Sequence, residues 1–152
     1  KSRRYPEWIL KSDYYALTWV RENTLYKNTL VYSPFDNAIE NSIPIYATSF
    51  WPPIISERKS IPFRNYDLPA QFKFLNIDKP VAEKVNQLQR AAYSITNTES
   101  YKIFKDMKIT HIFISGFLTG KLVNIYQNSQ FVELIYYNTV PNQGTSLVYK
   151  LK

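Results

Sequence analysis

The chain contains no cysteine, a single histidine and only three glycines, and each shortage removes a class of chemistry. Without cysteine there can be no disulfide, no thiolate metal ligand and no thiol nucleophile. With His111 as the sole imidazole, a histidine metal cluster is ruled out, and any Ser-His-Asp arrangement would have to use that one residue. No GxSxG nucleophile elbow is present, because Ser115-Gly116 lacks the glycine two residues before the serine. Three glycines against nine prolines argue against a glycine-rich phosphate cradle and for rigid loops. No apolar run approaches the roughly 20 residues that cross a bilayer.

What is present suits one domain. The 152 residues are 45% hydrophobic and include thirteen Tyr, nine Phe and three Trp, so a sizeable aromatic core is available to a single domain over 1–152. The formal charge of +7 would suit an anionic partner, either nucleic acid or an acidic membrane surface. The basic residues are dispersed, however, with local clusters only at Lys1–Arg4 (KSRR) and Glu57–Lys59 (ERK). A solvated surface is the ordinary explanation of such a pattern, and nucleic acid is the less expected partner.

Ala16, Trp19, Val20 and Asn23 recur at helical spacing and predict a helix from about Asp13 to Glu22, with Ser12 or Asp13 as N-cap and Asn23 as a left-handed stop. Thr29–Ser33 (TLVYS) reads as a short strand buried on both faces. Six of the nine prolines fall between Pro44 and Pro80, which excludes a long helix there and predicts extended pieces around Ile43–Thr48 and Phe72–Ile77 between irregular loops. Asp78 can cap a helix whose apolar stripe is Val81, Val85, Leu88 and Ala92. Thr96 and Glu99 fit a capping box for the next helix, with Tyr101, Phe104 and Met107 on one side and Lys105 and Lys108 at its C-terminal end. Ile109–Ser115 reads as a second buried strand, and Leu118–Gln127 is ambiguous between strand and helix. The closing segments FVELIYYNTV and TSLVYKLK flank a four-residue turn, Pro141–Gly144, and predict a C-terminal β-hairpin. The class expected is α/β, with a mixed, partly parallel sheet covered by helices.

Few residues point to chemistry. The acids show no DxD or paired spacing, and Asp78 and Glu99 already have capping roles. His111, at the start of a strand, is expected to be half-exposed and hydrogen-bonded to backbone. Trp51, held between Phe50 and Pro52-Pro53, could form a platform for a sugar ring or sit at a membrane interface; the ordinary alternative is a loop packed on the domain's own core. Arg58, Lys59, Arg64 and Tyr66 lie close by in sequence and could meet phosphate or a lipid headgroup, where solvated loop charges are the ordinary alternative. Tyr136, Tyr137 and Tyr149 fall on the final hairpin, where cross-strand packing explains them better than base stacking.

Three motifs recur in a recognisable order. Trp19-Val20-Arg21-Glu22-Asn23-Thr24 leads into Thr29–Ser33; Ile109-Thr110-His111-Ile112-Phe113-Ile114 follows a helix; and Tyr136-Tyr137-Asn138 with Leu147-Val148-Tyr149-Lys150 closes the chain. This order resembles the soluble region that follows the transmembrane helices in membrane proteins of the GT-C glycosyltransferase type, including oligosaccharyltransferase-like and dolichyl-phosphate-mannose-dependent mannosyltransferase-like proteins. The resemblance implies a domain excised from a larger protein of the cell membrane, on the extracytoplasmic side, partnered by its parent's transmembrane portion. It further implies a non-catalytic cap that helps position a lipid-linked sugar or an acceptor, with Ile43–Pro80 as the contact surface. No catalytic residue, cofactor or metal ligand carries over, since the family's catalytic acids lie in loops between transmembrane helices and the WWDYG motif is absent from this chain. Two alternatives remain at this stage: a stand-alone basic module binding nucleic acid or another polyanion, and a small secreted hydrolase with a carboxylate pair assembled by the fold.

Overall fold

The computed structural model describes residues 9–34, 51–61 and 79–152, the side chains of 79–82 and 85 excepted. In chain order the elements are α1 (Lys11–Asn23), β1 (Leu30–Tyr32), α2 (Trp51–Ser56), β2 (Lys59–Ile61), α3 (Lys79–Ala92), α4 (Thr98–Asp106), β3 (His111–Ile114), α5 (Thr119–Gln127), β4 (Val132–Val140) and β5 (Gly144–Leu151). The strands form one sheet in the order β2-β1-β3-β5-β4. β1 runs parallel to both β2 and β3, while β5 runs antiparallel to β3 and β4. This is the α/β class with a mixed sheet and a C-terminal hairpin that the sequence predicts.

Alternation along the strands sorts the core into two faces. Val31, Phe113 and Val148, on three neighbouring strands, join Ala16, Leu17 and Val20 of α1 on one face, with Trp51 and Ile55 of α2 packed against them. Tyr32, Ile112, Ile114, Leu147 and Tyr149 point the other way and meet Leu88 and Ala92 of α3, Phe104 of α4 and Leu122 and Tyr126 of α5. Most of the large side chains lie on this second face, and complete burial of a Leu, Ile or Phe there contributes roughly 1.5–3 kcal/mol.

Several local expectations change. α1 is capped by Leu10 without a side-chain bond, so neither Ser12 nor Asp13 is the N-cap; both are buried in the first turn. Its stop is not a left-handed Asn23 either. Asn23 Nδ2 donates to the Trp19 carbonyl at 2.9 Å, Thr24 Oγ1 donates to the Val20 carbonyl at 2.5 Å, and Thr24 turns extended. The Trp51 segment is a short helix rather than a loop, with Pro52 and Pro53 in its first turn, where a missing N–H costs little. α4 starts at Asn97 instead of Thr96: the Asn97 Oδ1 accepts the Glu99 amide at 2.8 Å. α5 resolves the ambiguous segment as helix. The hairpin turn is one residue shorter than expected, since Gly144 already pairs with Val140. The extended pieces at Ile43–Thr48 and Phe72–Ile77, and the Asp78 cap, lie outside the described residues.

Candidate functional site

The two ends of the parallel strands hold the polar chemistry of the molecule. At the carboxyl end of β3, where open α/β sheets commonly bind ligands, the first turn of α1 fills the space. Asp13 is completely buried there. Ser115 Oγ donates to its Oδ2 at 2.6 Å; Ser146 Oγ and the Gly116 amide donate to its Oδ1 at 2.5 and 2.9 Å. Burial pushes the carboxyl up to about 6, against the pull of the three donors. Around it, Asn138 Nδ2 donates to the Ser12 carbonyl at 2.9 Å and the Lys11 amide to Gln143 Oε1 at 2.5 Å. A side chain at Gly116 would put its Cβ 2.8 Å from Leu10 Cδ1 and 3.0 Å from the Gln143 carbonyl oxygen. Glycine there spares a shift of Leu10 and crowding of the Gln143 carbonyl. The cluster ties α1 to β3, β4 and β5 and offers both carboxylate oxygens to the protein itself.

At the amino ends of β1, β2 and β3 the surface opens into a groove of about 690 Å³. Its walls are the turn Tyr26–Thr29, Leu30 of β1, Lys59 of β2, Lys105 of α4, and Lys108, Ile109 and Thr110 leading into β3. Four lysines, 27, 59, 105 and 108, line it, and among the described residues no carboxylate does. All four are exposed, and among the described residues none is ion-paired. The Lys105 ammonium donates to the Lys152 carbonyl at 3.1 Å. Thr110 closes the floor, its Oγ1 accepting from the Leu30 amide at 3.0 Å.

The residues singled out from sequence fall in different places. Lys59 lines the groove. Arg58 is drawn into the fold: its guanidinium donates to the Arg21 and Thr24 carbonyls, each at 2.7 Å, and to Thr24 Oγ1 at 3.1 Å, closing the C-terminal end of α1. It also lies 5.7 Å from the centre of the Tyr26 ring and so backs one wall of the groove. Trp51 packs on the α1 face of the sheet, with Ala16, Leu17 and Val20. Arg64 and Tyr66 lie outside the described residues. His111 is buried rather than half-exposed, with Nδ1 2.7 Å from the Thr110 hydroxyl. Burial, with Lys150 beside it, lowers its pKa to about 4. Among the described residues, no three metal-ligating side chains come together, and no helix is long and apolar enough to cross a membrane.

Sequence reasoning missed Asp13 as a hub and the lysine groove altogether. For Asp13 the available signal was an acid beside Ser12 in the first turn of a helix with an apolar stripe; for the groove there was only the general excess of lysine. Compared with protein-family models, with curated proteins and with solved structures, the chain matches none.

Proposed function

We propose that this chain is a non-catalytic extracytoplasmic domain of a GT-C-like membrane glycosyltransferase, capping the transmembrane portion of its parent and helping to position a lipid-linked sugar or acceptor. The observation supporting this reading is that the three motifs carrying the resemblance meet one another in space. Trp19 stacks on Tyr136 with ring centres 4.9 Å apart, Thr110 joins Leu30 just beyond the first motif, and His111 pairs with Lys150 of the last. A motif order maintained by mutual contact is what a shared domain architecture requires. Three side chains suited to catalysis are taken up by the fold: Asp13, Ser115 and Arg58 are each engaged in joining elements.

An antibody raised against this domain tests the reading through the mass and fractionation of the native antigen. A much larger, detergent-requiring protein supports it; a water-soluble antigen near 18 kDa overturns it. The second reading, a basic module for a polyanion, is favoured by the lysine groove and predicts binding that weakens steeply with salt.

A further inference from the structure

We propose that the lysine groove is a binding site for a phosphate ester, with the phosphate among Lys27, Lys59 and Lys108 and the remainder of the ligand against Tyr26. The inference rests on the groove and not on the membrane-transferase reading, since a soluble phosphoester and a lipid headgroup present the same chemistry. Four cations come from four separate positions in the chain, a turn, a strand, a helix and a helix exit, and converge on one concavity that, among the described residues, no acid lines. Like charges brought together repel one another, so the arrangement lowers stability unless an anion occupies it. Tyr26 is 76% exposed and adds a flat face at the rim, with Arg58 behind it.

Backbone conformation singles out Lys108. α4 ends in a Schellman motif: the Ile109 amide donates to the Phe104 carbonyl at 3.1 Å and the Lys108 amide to the Lys105 carbonyl at 3.0 Å. Lys108 itself is left-handed with φ 60°, where glycine is the usual choice. Across the groove Asn28 is left-handed as well, with φ 67°. Glu57 and Asn142, outside the groove, are left-handed too, with φ 53° and 65°; what is unusual at Lys108 is the residue type, a lysine where glycine avoids the Cβ penalty. Complementing the helix dipole explains Lys105 and Lys108, but it leaves Lys27 in its turn and Lys59 on β2 without a reason.

The test uses the chain with pyrophosphate and, separately, with phosphatidylcholine vesicles doped with phosphatidic acid, followed by amide chemical shifts and by co-sedimentation. Saturable shifts at Asn28, Lys59 and Thr110 with pyrophosphate identify a soluble phosphoester site. Binding to the doped vesicles alone identifies a lipid headgroup, and either result supports the proposal. Lys108→Gly should weaken the binding about tenfold, the scale of one lost charge-assisted hydrogen bond, with an unchanged or higher Tm. Lys59→Ala should weaken it similarly. Shifts spread evenly over Lys84, Lys102 and Lys121, affinities that ignore both substitutions, or no binding to either probe would each overturn it.

Discussion

The two ends of the parallel strands solve opposite electrostatic problems. At the carboxyl end one acid is sealed from water, and every donor aimed at it belongs to the protein. At the amino end, lysines gather in the open without an acid among the groove-lining residues. The first arrangement is complete in itself: it fixes α1 on the sheet and leaves no oxygen for a ligand. The second is incomplete as it stands. Where a polar cluster is internally satisfied it reads as architecture, and where it is one-signed and solvent-facing it reads as recognition.

The sharpest way to break this contrast is Asp13→Ala, which leaves two buried hydroxyls and a backbone amide without their acceptor. Unfolding free energy should fall by about 3 kcal/mol or more, since each orphaned buried group costs about 1–3 kcal/mol; denaturant melts measure it, and a loss indistinguishable from a surface substitution would remove Asp13 from its central role.

Next in size is a pair of opposed titrations. The Asp13 carboxyl is raised from 3.8 to about 6 in the fold, so folding takes up a proton between those values. The resulting gain in stability is full below pH 3.8 and is lost as pH rises through about 6, a span worth about 3 kcal/mol at 1.36 kcal/mol per unit. His111 runs the other way: lowered from 6.5 to about 4, it contributes stability above pH 6.5 that is lost as pH falls through about 4. The two largely offset each other in the intact protein. Asp13→Asn should therefore expose a loss of stability on acidification from pH 6.5 to 4, and His111→Gln a gain over the same interval. Identical pH slopes in the two variants would contradict both assignments.

Arg58→Ala should cost about 2 kcal/mol, because hydrogen bonds to charged groups contribute about 1.5–3 kcal/mol and the guanidinium closes two carbonyls at the end of α1. The expected loss is in Tm, and hydrogen exchange should quicken at Thr24. Smallest and opposite in sign is Lys108→Gly, which relieves a left-handed residue and should raise stability by about 1 kcal/mol. An equal loss instead would mean that Lys108 is placed there for the helix rather than for a ligand.

Much of the fold was legible because its signals are local. The helical spacing around Ala16 and Val20, the apolar run Ile112–Ile114 and the turn after Val140 each fall within a window of a few residues, and periodicity reads such windows well. The α4 cap was misassigned because Thr96 and Asn97 are adjacent acceptors, and only the backbone decides which one reaches the Glu99 amide. Asp13 was read as a possible N-cap, and its role as a hub was out of reach because its hydroxyl partners lie 102 and 133 residues away. The groove is harder still, since its lysines are spread from position 27 to position 108 and become neighbours through parallel pairing. Arg58 was the opposite failure, a cluster visible in sequence whose charge the fold directs inward.

The reach of Asp13 also sets an order of events on the ribosome. α1 precedes Ser115 by 102 residues and Ser146 by 133, so although Val31, Trp51 and Ile55 can cover part of its apolar face, its acid lacks its hydroxyl donors until β3 and the final hairpin have been made. Non-local closure of this kind slows folding. Within this domain the acid of α1 therefore waits for its Ser146 donor until β5 has been made, and truncation within β5 removes that bond from the seat of the first helix.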